Sequence, residues 1–154
     1  MKKGFTLIEI IIYTALIALS LVLASLTVGQ IIQTSKALNN KAFLADEVNF
    51  LLRKIEWTLT DVAVINSPAP GASASIISVD KADFPNNPII IDLESGNMRL
   101  KKGTGSPIIL NNQEAVVGDL IFEHLAPSTD KPAGIKTSFK IDGETHQLTI
   151  YLRQ

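Results

Sequence analysis

The stretch KKGFTLIEIIIYTALIALSLVLASLTVG, residues 2–29, decides the fold of this chain. No charged residue occurs between Glu9 and Lys36, and residues 10–28 are almost wholly apolar. At 1.5 Å per residue, a helix over that run spans about 29 Å, which matches the hydrocarbon thickness of a bilayer. The lysines before the run place the N-terminus on the cytoplasmic side by the positive-inside rule. The sequence therefore predicts one membrane pass, with the rest of the chain outside.

Three interpretations of this N-terminus compete. A cleaved secretory signal peptide has a short apolar stretch, whereas this run is too long and has Glu9 near its start. A plain uncleaved anchor explains the length but not the carboxylate, because a charge in lipid costs at least ~2.5 kcal/mol unless it is paired. Such an anchor would hold a binding or sensory module at the outer face of the cytoplasmic membrane.

The third interpretation accounts for every residue of the stretch. A basic leader, a Gly4–Phe5 junction, Glu9 and a long unbroken apolar run resemble the N-terminal signal of type IV pilins and type II secretion pseudopilins. The resemblance implies that a prepilin peptidase removes residues 1–4 as a leader peptide and methylates the new N-terminus at Phe5. It also implies that Glu9 guides assembly. One difference is that many family members carry a proline in the second half of this helix, whereas the first proline here is Pro68.

For the whole chain, the resemblance implies a minor pilin or minor pseudopilin, because the sequence has neither a calcium-loop pattern nor a cysteine. The implied partners are other pilin or pseudopilin subunits, the prepilin peptidase, the inner-membrane assembly platform and membrane lipid. The implied location is the cytoplasmic (inner) membrane in a single pass, followed by a filament in the periplasm or at the cell surface. A type IV pilus, a type II secretion pseudopilus and a DNA-uptake system all stay open.

Beyond Gly29 the pattern stays helical but becomes amphipathic. Apolar residues recur at steps of three or four positions, with polar residues on the other faces. The simplest arrangement is one helix from Phe5 to about Val62, about 87 Å long. Residues 5–29 would lie in lipid or in a filament core, and residues 30–65 would form the amphipathic part. The apolar face that is expected to cover a sheet consists of Leu44, Val48, Leu51, Ile55, Leu59 and Val62.

Three aromatic residues, Phe43, Phe50 and Trp57, recur every seven positions beside that apolar face. Two interpretations are open for this aromatic stripe. The three rings can form the flank of the same core, or they can form a contact between subunits, which a filament would need.

Residues 66–154 are predicted to form an antiparallel β domain. Residues 66–75 are rich in proline, glycine and serine, which predicts a linker that ends the helical half. After it the hydrophobic period becomes two, and the tight turns Ser95–Gly96 and Asp142–Gly143 predict β-hairpins. Residues 120–125 are a further strand candidate. The predicted fold class is therefore α+β and pilin-like, with one long N-terminal helix packed against an antiparallel sheet of hairpins.

The last hairpin also gives a predicted register. Counting back from its turn pairs Phe139 with His146 and Ile135 with Ile150, and Thr137 with Leu148. This register puts the apolar side chains on one face, so that face of the sheet is expected to rest on the helix.

The search for catalytic chemistry predicts no enzyme, no cofactor and no metal site. The two histidines, His124 and His146, fall in different strand candidates, and neither has the spacing of a ligand set. Asp92 and Glu94 are interpreted as solvated charges at a strand end. Fourteen basic residues against fifteen acidic ones leave no basic excess, which argues against a nucleic-acid partner.

Overall fold

The computed structural model describes residues 6–129 and 131–152. The chain divides into two compact units, the first unit (Met1–Phe43) and the second unit (Leu44–Gln154). The boundary falls inside the long N-terminal helix. The first unit therefore contains the earlier part of that helix, and the second unit contains its last turns and all the strands.

Helix α1 covers Leu7–Leu59 and passes through Gly29 without a break, as the single-helix prediction expected. Its end comes at Leu59 rather than near Val62. Asp61 has a φ of 54°, the left-handed conformation that ends many helices and that aspartate tolerates better than most residues. Because the chain turns there, Val62 begins a strand instead of closing the helix.

Five strands of the second unit form one antiparallel sheet, in the order β1-β3-β4-β5-β6. The strand order is not sequential because β2 leaves this sheet for the other one. The bounds are β1 Val62–Ser67, β3 Ile77–Lys81, β4 Ile89–Glu94, β5 Asn97–Lys102 and β6 Ile108–Ile109.

The remaining four strands form a second antiparallel sheet, in the order β2-β7-β8-β9. Two sheets therefore stand where the sequence predicted one. Strand β7 includes the predicted residues 120–125 and begins three residues earlier. The bounds are β2 Ser73–Ala74, β7 Val117–Leu125, β8 Gly134–Ile141 and β9 Glu144–Tyr151.

Both predicted hairpins are confirmed. In the first, β4 and β5 join at Ser95–Gly96, where the φ values are 51° and 78°. In the second, β8 and β9 join at Asp142–Gly143, where they are 51° and 79°. Two central residues with positive φ are the signature of the turn that matches the twist of paired strands. The pairs Phe139–His146, Thr137–Leu148 and Ile135–Ile150 all occur as predicted.

Gly96 is required at its turn for a second reason. A Cβ atom added there would lie 2.8 Å from Cγ1 of Val116. The Val117 N–H also donates a hydrogen bond to the Gly96 carbonyl at 2.9 Å. The hairpin therefore lies directly against the segment that leads into β7, and only glycine leaves room for that approach.

The apolar face of α1 within the second unit packs against the sheets, as predicted. Val48, Leu51, Ile55 and Leu59 are buried, whereas Leu44 and Val62 at the ends of the face are half-buried. The Asn112 N–H donates to Oε1 of Glu47 at 2.7 Å and ties the helix to the loop before β7. The sheets contribute to this core the side chains of Ile77, Val79, Ile89, Ile91, Met98, Leu100, Val117, Leu120, Phe122, Ile135, Phe139 and Ile141.

The predicted linker, residues 66–75, is in part a structural element. It contributes the end of β1 and the whole of β2, which pairs with β7. The Gly71 N–H donates to the carbonyl of His124 at 2.8 Å, and the His124 N–H donates to the carbonyl of Ala72 at 2.9 Å. The proline- and glycine-rich composition identified the break in the helix but not this strand addition.

Four aspartates in the described part of the chain have a positive φ. They are Asp61 after the helix, Asp83 after β3, Asp119 within β7 and Asp142 in the last hairpin, with φ between 48° and 54°. Asp119 lies where the register of β7 against β8 shifts, which marks a bulge. Its carboxylate pairs with Lys140 at 2.8 Å, and that hydrogen bond raises the pKa of Lys140.

Candidate functional site

Glu9 lies in the first turn of α1, three positions after Thr6, the residue that caps the helix. Oγ1 of Thr6 accepts a hydrogen bond from the Glu9 N–H at 3.4 Å, and the Thr6 carbonyl accepts from the same N–H at 3.1 Å. A threonine followed three positions later by a glutamate is the pattern of a capping box. The sequence analysis missed this pattern, although both residues stand in the decisive stretch. In this pattern the Thr6 hydroxyl caps the Glu9 N–H, so position 9 also takes part in the start of the helix.

The Glu9 carboxylate also has a neighbour one turn further along. The Tyr13 hydroxyl donates to Oε1 of Glu9 at 3.4 Å. Residues four positions apart lie on the same side of a helix, so this contact could have been found from the spacing alone. Glu9 is half-buried, whereas the residues on either side of it are exposed.

The apolar part of α1 is exposed on all sides. None of the residues 6–43 is buried, and the leucine and isoleucine side chains between Leu7 and Leu38 are 51–80% exposed. The helix is long and apolar enough to cross a membrane. A helix that is hydrophobic all round is typical of apolar surroundings, and none of the described residues covers this part of α1.

The hydroxyl groups within this apolar part bond back to the helix. Oγ1 of Thr14 donates to the carbonyls of Ile10 and Ile11, and Ser20, Ser25 and Thr27 each donate to the carbonyl four residues earlier, at 2.8–3.0 Å. Each hydroxyl therefore satisfies its donor without leaving the helix, which is the arrangement needed where no water is present.

The aromatic stripe is only partly covered. Phe43 and Phe50 are half-buried, and Trp57 is 36% exposed. Nζ of Lys54 lies 5.3 Å from the centroid of the Phe50 ring. Neither predicted interpretation of the stripe is tested by these facts, since each ring has both a covered and an open side.

The predicted cleavage residues, Gly4 and Phe5, lie outside the described residues. The structure describes the chain from Thr6 onward.

Both histidines contact neighbours in the second unit. His124 is 7% exposed, and its Nδ1 lies 2.9 Å from the carbonyl of Pro68. Because a carbonyl oxygen only accepts, Nδ1 carries the proton in this hydrogen bond. His146 is half-buried with its ring centroid 5.7 Å from that of Phe139. Among residues 6–129 and 131–152, no group of three or more histidine and acidic side chains could hold a metal ion.

Asp92 and Glu94 were predicted to be solvated charges at a strand end. Instead, both carboxylates have a partner in the structure. Both carboxylates form ion pairs with Arg99, which faces them from β5, and the Asp92 pair has a distance of 2.7 Å. The hydrogen bond that Arg99 donates to Asp92, with the negative charges of both acids, raises the pKa of Arg99. The prediction missed this because the cross-strand partner depends on the hairpin register, in which Asp92 stands opposite Arg99.

No family model matches the chain, and no curated protein and no solved structure matches it.

Proposed function

We propose that this chain is a minor pilin or minor pseudopilin. It is inserted into the cytoplasmic membrane through α1, cleaved between Gly4 and Phe5 by a prepilin peptidase, and assembled through α1 into a type IV pilus or a type II secretion pseudopilus. The observation that carries the proposal is an apolar helix that is exposed all round and has one carboxylate in its first turn. The same helix continues into the second unit.

The exposed apolar surface supports the proposal because it suits two successive environments, first lipid and then neighbouring subunits. In the precursor, lipid covers this apolar surface. The hydroxyl groups in it already donate to helix carbonyls, so their transfer into lipid costs little free energy. In the filament, the apolar parts of neighbouring subunits cover one another. An ordinary water-soluble protein does not expose so large a continuous apolar surface.

Glu9 supports the assembly step through charge. Removal of residues 1–4 takes away Lys2 and Lys3, and the new α-amine of Phe5 becomes the positive charge closest to Glu9 in sequence. In an apolar filament core, the carboxylate of one subunit would pair with the amine of the same or the next subunit. An unpaired charge there costs several kcal/mol, so the pairing favours the correct axial stagger over slipped ones.

The experiment that tests the proposal is mass spectrometry of the mature N-terminus in the native host. We expect a chain that begins at Phe5 and carries one extra methyl group. A chain that keeps residues 1–4 would contradict the proposal and favour the uncleaved anchor with a binding or sensory module.

A matched pair of variants shows that the cleavage is specific. Gly4→Val should leave the precursor uncleaved, because the peptidase needs a residue without a side chain at the junction. Gly29→Val makes the same change at a position where an added Cβ meets nothing within 4 Å, so it should be cleaved normally. Normal cleavage of Gly4→Val would count against the proposed site.

A further inference from the structure

Trp57, in the last turns of α1, has two ammonium groups beside its ring. Nζ of Lys81 lies 4.3 Å from the ring centroid, and Nζ of Lys102 lies 4.7 Å from it. Phe84 packs against the same ring edge-on, with centroids 5.9 Å apart and an interplanar angle of 78°. Three separate elements, α1, the end of β3 and the end of β5, thus meet at one indole.

The two lysines differ in their other contacts. Nζ of Lys81 donates to the Trp57 carbonyl at 2.6 Å and so caps the end of a helix that has no basic residue in its own last turn. Lys102 has only the ring contact, and within the described residues neither lysine forms an ion pair with a carboxylate. Two like charges therefore lie beside one ring.

The electrostatics of Lys81 agree with this arrangement. Burial lowers the pKa of Lys81, the negative charge of Asp61 raises it, and the positive charge of Lys102 lowers it further. Asp61 acts on Lys81 from beyond ion-pair distance. Bringing two ammonium groups together in a partly desolvated place is unfavourable, and an anion would remove that cost.

The indole adds a third donor. Trp57 is 36% exposed, and its Nε1–H forms no hydrogen bond within the described part of the chain. Its neighbourhood therefore offers an indole N–H and two ammonium groups, and an oxyanion with several acceptor oxygens is the ligand that such donors suit.

We infer that Lys102, Lys81 and Trp57 form a binding site for an oxyanion, of carboxylate or phosphate chemistry. The two ammonium groups beside the indole supply the positive charge that the anion meets. This site lies wholly in the second unit and does not depend on cleavage or filament assembly, so its failure would leave the proposed function untouched.

Trp57 is the only tryptophan in the chain, so its fluorescence reports on this site alone. The full chain in a non-ionic detergent is titrated with sodium phosphate and, separately, with sodium glutarate, against sodium chloride at equal ionic strength. We expect a saturable change in Trp57 emission with at least one of the two probes and none with chloride. A response to phosphate alone assigns phosphate chemistry, and a response to glutarate assigns carboxylate chemistry. The absence of a saturable response to both would overturn the inference.

Two variants separate binding at the site from a general charge effect. Lys102→Gln should weaken binding by about tenfold or more, since hydrogen bonds to charged groups are among the stronger ones. Lys101→Gln removes the same charge from the adjacent position, whose side chain points to the opposite face of β5, and should bind as the wild type does. Lys102→Arg should restore binding, which shows that the charge matters rather than the fold. Equal binding by the Lys102→Gln and Lys101→Gln variants would contradict the assignment.

Discussion

The two parts of helix α1 have similar apolar content and opposite surroundings. Between Leu7 and Phe43, in the first unit, no residue is buried. Between Val48 and Leu59, in the second unit, five residues are buried, and Leu51 and Ile55 are fully inaccessible. The difference lies in the arrangement of the apolar residues rather than in their number.

This comparison shows what periodicity adds to composition. In the later part of α1, apolar residues keep to one face, and the protein's own sheets cover that face. In the earlier part they occupy every face, so no single sheet could cover them. Within the described residues the apolar faces of the first unit are therefore uncovered, whereas the second unit covers its own.

The largest effect is expected at Glu9, whose removal should separate assembly from folding. Glu9→Leu should be cleaved and stay in the membrane, but its incorporation into filaments should fall at least about tenfold, because the Phe5 amine loses its partner in an apolar core. Quantitative immunoblotting of purified filaments against the membrane fraction measures this. Unfolding of the second unit should be unchanged.

Glu9→Gln distinguishes the two roles of this residue. Glutamine keeps the capping-box pattern with Thr6 but removes the charge. If charge pairing drives assembly, Glu9→Gln should be as defective as Glu9→Leu. Normal incorporation of Glu9→Gln would show that capping, rather than the charge, is what Glu9 contributes.

The next largest effect is on the free energy of unfolding, when the same substitution is made in each of the two parts of α1. Ile55→Ala removes a fully buried side chain and should lower the free energy of unfolding of the second unit by about 2–5 kcal/mol. Ile17→Ala removes a side chain that is 60% exposed and should change it by about 0.5 kcal/mol or less. Urea unfolding of the full chain in detergent, followed by Trp57 fluorescence, gives both values. Equal losses would contradict the difference in burial between the two parts.

The smallest effect tests the one-sided burial of the last hairpin. Leu148 lies on the core-facing side of β9 but is only half-buried, because β9 is at the edge of its sheet. Leu148→Ala should therefore cost roughly 1–2 kcal/mol. Thr149→Ala, on the opposite and exposed face, should cost about 0.5 kcal/mol or less. A larger loss from Thr149→Ala in the same urea titration would mean that the polar face is covered.

The sequence was sufficient for the parts of the fold that depend on local pattern. The long helix, the two hairpin turns and the full register of β8 against β9 follow from periodicity and turn chemistry. The end of α1 was misplaced because Asp61 takes a conformation for which glycine is the usual signal. Strand β2 and the division into two sheets depend on pairing between segments far apart in sequence, as in the pair Ala74–Phe122.

The candidate sites also differ in whether their contacts are local in sequence or between distant segments. Thr6 and Tyr13 lie within four positions of Glu9, and their contacts could have been predicted from spacing alone. Lys81 and Lys102 reach Trp57 from 24 and 45 positions away. No pattern in the sequence joins these three residues, because only the sheet topology brings β3 and β5 to the end of the helix.

The four aspartates with positive φ have a consequence for protein engineering. Each holds a backbone conformation that asparagine or glycine adopts at lower cost, and such strain amounts to about 1 kcal/mol per position. Replacing Asp83 and Asp142 with asparagine would therefore raise the free energy of unfolding without altering an apolar residue. Such a variant would suit purification and crystallisation.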